Sequence, residues 1–345
     1  MNSTNIGIGR EMAVSHSKKK RKKEIGVKRI IVTFLMVSRV AFTAFAGGSA
    51  EEDDGTYQVA YIARAQADSF AAWLANAVLE EAENYPNIDV TLFDGQASND
   101  VQNGMIENAI VNQFDAIIIQ PNNGESQRPY AEQVVEAGIV CITTNARIAG
   151  IDGASSVDAD PYEQAAVQAR AALEQVPQDA NVVVLNGPPG NFHADERRVA
   201  WGEVFFEERP DVTIVGEQIA NWNKDEAMAL MEDWVQANDR IDAIISMNDS
   251  MAAGALEVVR DDPEFEDILS YGVDGTAEAV LLIRDGVMTS TTLQSAYALA
   301  DNLLETSDKL LRGVEDQIDI NIGTPMVNSE NVDQYIEMHE RAGNL

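Results

Sequence analysis

The chain has 345 residues, enough for two ordinary domains, and 45% of them are hydrophobic, enough to bury two cores. Its formal net charge is −33, but the first 46 residues hold ten of the 24 Lys and Arg and two of the 57 Asp and Glu. The rest of the chain is therefore strongly acidic and would repel nucleic acid phosphates, which argues against a nucleic acid partner. We interpret this acidity as an adaptation to high external salt, where screening weakens the repulsion between surface charges.

The first 46 residues are predicted to form a signal peptide. Residues 18–23 are all Lys or Arg, residues 30–37 are mostly apolar, and Ala44-Phe45-Ala46 fits the small-x-small cleavage pattern. Arg39 interrupts the apolar run, and a nuclear-localisation or nucleic-acid role for the basic run is the alternative. The mature chain would then begin near Gly47, with residues 47–56 as an acidic linker.

Cysteine usage bounds the chemistry further. Cys141 is the single cysteine, so disulfides within the chain are excluded. It lies in an apolar run and is predicted to be inert core. Because no cysteine adjoins the cleavage site, we expect no lipid anchor there, and a secreted, soluble protein of the periplasm.

From residue 57 onward, patterns of strand and helix alternate. Apolar runs such as residues 59–62 and 116–119 predict buried strands, and Phe70, Trp73, Leu74, Ala77 and Val78 fall on one helical stripe. Residues 150–161, rich in Gly, Ser and Asp, are predicted to be a loop that crosses between domains, after which the pattern restarts. This predicts an α/β fold with two doubly wound parallel-sheet lobes and a ligand cleft between them.

The most informative stretch is residues 242–256. It begins as a short buried strand at Ala243, continues through the polar residues Asn248 and Asp249, and ends in a helix with small and apolar residues. In an open parallel sheet, such a turn lies at the carboxyl end of a strand, where ligands bind. The alternative is that Asn248 and Asp249 only cap the helix.

Signatures of catalysis are missing from the sequence. No dinucleotide-binding glycine fingerprint follows the first strand, and there is no P-loop and no Gly-x-Ser-x-Gly elbow. His193 and His339 have no second histidine or cysteine at ligand spacing, which argues against zinc. We therefore expect no enzyme, no cofactor and no metal.

Polar and aromatic residues instead recur at the predicted strand ends. Amides, carboxylates and a guanidinium suit pairs of hydroxyl groups, and aromatic faces cover the apolar side of a sugar ring. Singly, Asp68 could be a helix cap, Trp222 core, Arg197 a surface charge and Asp274 part of a plain turn. Together they predict a polyol in the cleft. The set comprises Asp68, Phe70, Gln120, Asn145, Arg197, Trp222, Asn248, Asp274 and Gln294.

The chain resembles the periplasmic binding proteins of the ribose and galactose type, which deliver sugars to ABC importers. The resemblance runs from Tyr57 to Leu345 and is most specific in residues 243–256 and 271–276, with weaker matches at 119–121 and 194–197. It implies that Asn248, Asp274, Gln294, Arg197 and Trp222 bind the sugar from one lobe, and Phe70 from the other.

The first-lobe half departs from the family pattern. The second aromatic is Ala71, the family's asparagine is Asp68, and the usual Asp-Arg pair is Asn145-Ala146 with Arg147 displaced by one position. Gln120 stands where ribose binders carry Asn, and Arg64 where small polar residues are common. The resemblance thus implies a ribose-like monosaccharide or related polyol, with Arg147 included in the predicted site.

The resemblance also implies the domain organisation and partners. Residues 57–159 with 295–322 would form the N-terminal lobe, and 160–294 with 323–345 the C-terminal lobe, with crossings near Asp158, Gln294 and Ile322. The expected partners of this monomer are the sugar and an ABC permease. Binding for a chemoreceptor is the main alternative. A repressor-like sugar sensor, which lacks a DNA-binding head here, and a secreted α/β enzyme are the others.

Overall fold

The structure, a computed structural model, describes residues 55–345. The predicted signal peptide and the first eight residues of the predicted linker, 47–54, lie outside the described residues. No helix among residues 55–345 is long and apolar enough to cross a membrane.

The first sheet contains six parallel strands. They are β1 (Tyr57–Ala63), β2 (Ile88–Asp94), β3 (Ala116–Ile119), β4 (Val140–Thr144), β5 (Ala154–Ala159) and β11 (Asp319–Ile322), arranged in the order β11-β5-β4-β3-β1-β2. The helices in its part of the chain are α1 (Ser69–Ala82), α2 (Asn99–Val111) and α3 (Gly124–Glu136), joined by α9 (Ala296–Leu311), which packs on α1.

The second sheet repeats this order. Its strands are β6 (Asn181–Asn186), β7 (Thr213–Ile219), β8 (Ala243–Ser246), β9 (Leu269–Asp274), β10 (Ser290–Leu293) and β12 (Met326–Asn328), arranged β12-β10-β9-β8-β6-β7. All pairs are parallel except β12 with β10. The accompanying helices are α4 (Pro161–Gln175), α5 (Phe192–Trp201), α6 (Lys224–Ala237), α7 (Asp249–Val259), α8 (Ala277–Arg284) and α10 (Val332–Arg341), and a π-helical turn, Gly202–Phe206, continues α5.

The core follows from the apolar runs in the sequence. Residues 116–119 and 182–185 are fully buried, as expected for central strands that helices cover on both faces. The predicted apolar stripe of α1, from Phe70 to Val78, is buried against the first sheet, and Cys141 is buried in β4. The predicted α/β fold class is confirmed in both halves.

The prediction of a loop over residues 150–161 is wrong in part, because β5 lies within it. Its sequence, Ala-Ser-Ser-Val-Asp-Ala, has the small and polar composition of a loop, yet all six residues are buried. Hydrogen bonds from neighbouring strands make this burial tolerable: β5 pairs with both β4 and β11, and the hydroxyl of Ser156 donates to Asp319. Propensity alone could not reveal this tertiary pairing.

The chain passes between the two sheets three times, after β5, after β10 and after β11. The exact lobe boundaries remain a prediction. In each sheet the strand order reverses once, between β1 and β3 in the first and between β6 and β8 in the second. Such switch points are where open α/β sheets bind ligands, outside the carboxyl ends of the strands.

Candidate functional site

A buried cavity lies where the carboxyl ends of the two sheets face each other. It encloses about 260 Å³ of empty space. The first sheet contributes residues that follow β1 and β4 and begin α1, and the second contributes residues from α5 and from the ends of β7, β8 and β9. The lining residues are Arg64, Asp68, Phe70, Asn145, Asn191, His193, Arg197, Trp222, Asn248 and Asp274.

Gln120 organises the first-sheet side of the cavity without lining it. Its Oε1 accepts a hydrogen bond from the backbone N–H of Arg64 at 2.9 Å, and its Nε2 donates to Oδ1 of Asn145 at 2.8 Å. Its side chain is fully buried. Gln120 thereby fixes both Arg64 and Asn145, which follow neighbouring regions of the sheet.

Arg64 and Asp68 form an ion pair at the edge of this side. Nη2 of Arg64 lies 2.9 Å from Oδ2 of Asp68, and both side chains are 8% exposed. The other carboxylate oxygen of Asp68 accepts from the backbone N–H of Ala71, capping α1. Asp68 is therefore both the helix cap and a cavity residue. Nε of Arg64 is buried with no protein partner in the described chain, so it remains available to a ligand.

On the second-sheet side, Arg197 is held from several directions. Its guanidinium donates to Oε1 of Gln164 at 3.0 and 2.8 Å and to the backbone carbonyl of Met247 at 2.6 Å. It also lies 3.8 Å from Oδ1 of Asp274. Arg197 is 2% exposed, so the surface-charge alternative from the sequence is wrong. A guanidinium fixed in this way presents a rigid donor to the cavity.

Gln294 lies behind the cavity and links Arg197 to Asp274. It accepts from Nε2 of Gln164 at 2.8 Å and donates to Oδ1 of Asp274 at 3.4 Å. Since Gln164 is also the acceptor for Arg197, these four side chains form one continuous network.

Asp274 is the acidic centre of the second-sheet side. Burial raises the pKa of its carboxyl well above the ordinary value, and Arg197 acts in the opposite direction. Its backbone φ is +130°. Among residues 55–345, nine non-glycine residues have positive φ, and three of them, Asn145, Trp222 and Asp274, line the cavity. Backbone strain is thus concentrated where the side chains converge, which is typical of binding sites.

Asn248 fulfils both roles that its sequence suggested. Its Oδ1 accepts from the backbone N–H of Met251 at 3.0 Å and caps α7, while the side chain lines the cavity. This cap does not use the two Nδ2 hydrogens, so Asn248 keeps donors for a ligand.

Trp222 supplies the main aromatic surface. Its ring lies so close to Gly187 that a Cβ there would come within 2.4 Å of Trp222 atoms. The guanidinium carbons of Arg64 and Arg197 lie 5.7 and 5.6 Å from the ring centre, within the range of cation–π attraction. Phe70 lines the cavity from the first-sheet side.

Seven of the ten predicted site residues line the cavity, and Gln120 and Gln294 lie directly behind it. Arg147 does not belong to the cavity, which corrects its inclusion. Asn145 and Ala146 have φ of +47° and +126° and turn the chain away. The Arg147 guanidinium then lies 5.6 Å from the Phe192 ring, in a separate recess with Asp158 and Asn321.

The sequence analysis did not place Arg64, Asn191 and His193 in the site. Asn191 caps α5, and its Nδ2 donates to the backbone carbonyls of Pro121 and Asn122 from the first sheet. His193 lies four residues before Arg197, a spacing that places both on one face of a helix. That spacing was the available signal for His193, and the isolated charge of Arg64 at a strand end was the signal for Arg64.

Comparison with known proteins identifies the family. Residues 59–315 match the family described as the periplasmic binding protein domain. The chain belongs to this family. The xylitol-binding protein of Mycolicibacterium smegmatis is 27% identical over 252 residues, covering 72% of each chain. The putative rhizopine-binding protein of Rhizobium meliloti is 26% identical over 276 residues, covering 78% of this chain and 89% of the relative.

A solved structure of a solute-binding protein of an ABC transporter from Bacillus halodurans, with bound myo-inositol, has a TM-score of 0.78 and 26% identity. It covers 83% of this chain and 99% of its own. The resemblance to periplasmic binding proteins of the ribose and galactose type is confirmed. The family is one of transport-associated binding proteins.

Proposed function

We propose that this periplasmic binding protein captures one monosaccharide or cyclic polyol in the cavity between its sheets and delivers it to an ABC importer. One observation carries the proposal. Two carboxylates, two guanidiniums, amides and two aromatic rings converge at the carboxyl ends of both sheets, and all are buried.

The chemistry of this lining matches hydroxyl groups. Each hydroxyl both donates and accepts, so it suits a site with acceptors such as Asp274 and Asp68 next to donors such as Asn248 and Arg64. Charge-assisted hydrogen bonds of this kind are stronger than those between neutral groups. The rings of Trp222 and Phe70 would cover the apolar face of the sugar.

The size of the cavity supports a single ring as the ligand. Its empty space of about 260 Å³ is below the range of about 300–1,000 Å³ that is usual for drug-sized ligands. The names of the relatives, which refer to xylitol, rhizopine, ribose and myo-inositol, support the class of small polyols.

The same proposal includes the transport role. We infer that the two sheets belong to lobes 57–159 with 295–322 and 160–294 with 323–345, which close on the ligand by a population shift. The ligand would be bound outside the cytoplasm by a monomer, and the closed form would be recognised by the importer. Family membership and the ABC-transporter relative support this role.

Thermal unfolding against a ligand panel tests the proposal. Xylitol, D-ribose, D-xylose, D-allose and myo-inositol would be added separately to the protein in high salt, with amino acids as negative controls. A ligand that binds the folded state alone raises the unfolding temperature by mass action. We expect a concentration-dependent rise with one or more polyols. A panel without any shift, from a protein that unfolds cooperatively, would contradict the proposal.

A further inference from the structure

His193 connects the two sheets through the ligand site. It lies in α5 of the second-sheet half, and its Nε2 is 2.9 Å from Oδ1 of Asp158, in β5 of the first sheet. Its other ring nitrogen, Nδ1, is 3.2 Å from Nη2 of Arg197. The imidazole therefore lies between a carboxylate and a guanidinium, and it is 2% exposed.

This geometry determines the protonation of His193. A guanidinium has hydrogens and no acceptor, so Nδ1 must accept the hydrogen bond from Arg197. Asp158 already accepts from the backbone N–H groups of Arg147 and Ala159, as expected of an ionised carboxylate, so Nε2 must carry a hydrogen and donate. A charged imidazolium would instead direct an N–H at the N–H of Arg197.

The surrounding charges favour the neutral ring. Burial lowers the pKa of His193, Asp158 acts in the opposite direction, and the cations Arg197 and Arg64 lower it further. For Asp158, burial favours the protonated form, but His193 and the backbone donors outweigh it and lower the pKa of the carboxyl. The charged groups facing the imidazole are thus Asp158 from β5, Arg197 from α5 and Arg64 from the end of β1.

His193 also differs from the other partners of Arg197. Gln164, Met247 and Asp274 all belong to the second-sheet half. Among the described contacts of Arg197, His193 is the one that continues, through Asp158, to the first sheet. It therefore couples the position of the guanidinium to the contact between the halves.

We propose that His193 is a positioning residue for ligand binding, which as a neutral Nε2–H imidazole holds Arg197 in the cavity and connects it to Asp158 across the sheets. The inference rests on the proposed function. Protonation of the ring removes the acceptor for Arg197, so ligand affinity falls in acid.

The first test needs no ligand. The full chain, labelled with ¹⁵N in its histidines, would be titrated by NMR, and the His193 signals would be assigned by their loss in His193→Gln. We expect the neutral Nε2–H tautomer at pH 7.5, with titration below pH 6.5, the usual pKa of histidine. An Nδ1–H tautomer, or an imidazolium at pH 7.5, would overturn the proposal.

The second test measures the affinity for myo-inositol, xylitol and D-ribose between pH 5 and 8 in wild type, His193→Gln and His193→Ala. Glutamine supplies a donor and an acceptor but does not titrate. Wild-type affinity should fall by up to about tenfold per pH unit below the histidine pKa. His193→Gln should bind more tightly than His193→Ala, and it should lack this component of the pH dependence.

Glu208→Gln, which removes an exposed acid beyond α5, is the matched control and should keep the wild-type profile. Parallel pH profiles of wild type and His193→Gln would overturn the proposal, because Asp249 and Asp274 titrate in both proteins. If no polyol binds to wild type at any pH, the proposed function fails, whereas the NMR titration still decides the role of the imidazole.

Discussion

The guanidinium of Arg64 faces the ring of Trp222 across the cavity, with its carbon 5.7 Å from the ring centre. Arg64 follows β1 of the first sheet and Trp222 follows β7 of the second, so this contact joins the two halves at the ligand site. Arg64 also carries the buried Nε without a protein partner. This arrangement predicts that Arg64 contributes to specificity, although ribose-type proteins commonly have a small polar residue at this position.

Arg64→Lys should weaken polyol binding by about 1.5–3 kcal/mol, the usual contribution of a hydrogen bond to a charged group. Lysine keeps the charge but lacks the planar fork that pairs with Asp68 and presents Nε to the cavity. Calorimetric titration measures the change. Arg128→Lys, an exposed arginine 40% accessible at its side chain, should bind as wild type does. Equal affinities of Arg64→Lys and wild type would remove Arg64 from the site.

Gly187→Ala should weaken binding by displacing Trp222. A Cβ at residue 187 would lie 2.4 Å from the ring, and overpacking of this kind costs about 1–3 kcal/mol. Tryptophan fluorescence and ligand titration would report the displacement. Gly104→Ala is the matched control, because a Cβ at Gly104 in α2 meets nothing within 4 Å and alanine favours the helix. A Gly187→Ala protein with normal affinity would show that the ring seat is not needed.

Asp249 should make the folded state less stable as the pH rises. Burial raises the pKa of its carboxyl to about 6, despite hydrogen bonds from Thr276 and Thr291. The unfolded state, with its ordinary pKa, loses this proton at lower pH than the folded state. Stability from Asp249 is therefore present below about pH 4 and lost between pH 4 and 6, by at most about 3 kcal/mol.

The variant Asp249→Asn isolates this effect. Denaturant unfolding at pH 4, 5, 6 and 7 should show wild type losing stability relative to Asp249→Asn across this range. A constant difference between the two proteins at all four pH values would show that Asp249 keeps an ordinary pKa. The shared titration of the other acids cancels in the comparison.

The acidic composition predicts that the folded state needs salt. Beyond residue 46 the chain has 14 basic and 55 acidic side chains, and its only lysines there are Lys224 and Lys309. Screening at high ionic strength weakens the resulting self-repulsion. The unfolding temperature should therefore rise from dilute buffer to molar KCl. A protein equally stable in salt-free buffer would contradict the adaptation to high salt.

Much of the site could be predicted because its chemistry is local. Asn248, Trp222 and Asp274 each follow a strand that the apolar pattern shows, and a parallel sheet brings strand ends to one edge. Arg197 was predicted from its motif and lies with them. The capping alternatives for Asp68 and Asn248 were also correct, since one carboxylate or amide can cap a helix and still line a cavity.

The remaining features depend on contacts between distant segments. Arg147 was placed wrongly because two positive φ values at Asn145 and Ala146 redirect the chain, and the residue types do not demand this backbone. The polar strand β5 is stabilised by pairing with β11, more than 150 residues away. The role of His193 required knowing that Asp158 of the other sheet lies beside it. Such tertiary partners are not encoded in local pattern.

The central claim is tested most directly by calorimetric titration of myo-inositol, xylitol, D-ribose and D-allose into wild type, Asp274→Ala and Asp261→Ala. Asp274 is buried in the cavity, whereas Asp261 is exposed at the far end of α7 from Asn248. We predict saturable binding of one polyol per chain to wild type and Asp261→Ala, and a loss of about 1.5–3 kcal/mol in Asp274→Ala, whose ligand hydroxyls lose a charged partner. Unchanged affinity in Asp274→Ala, or no saturable binding of any polyol to folded wild type, would contradict the account.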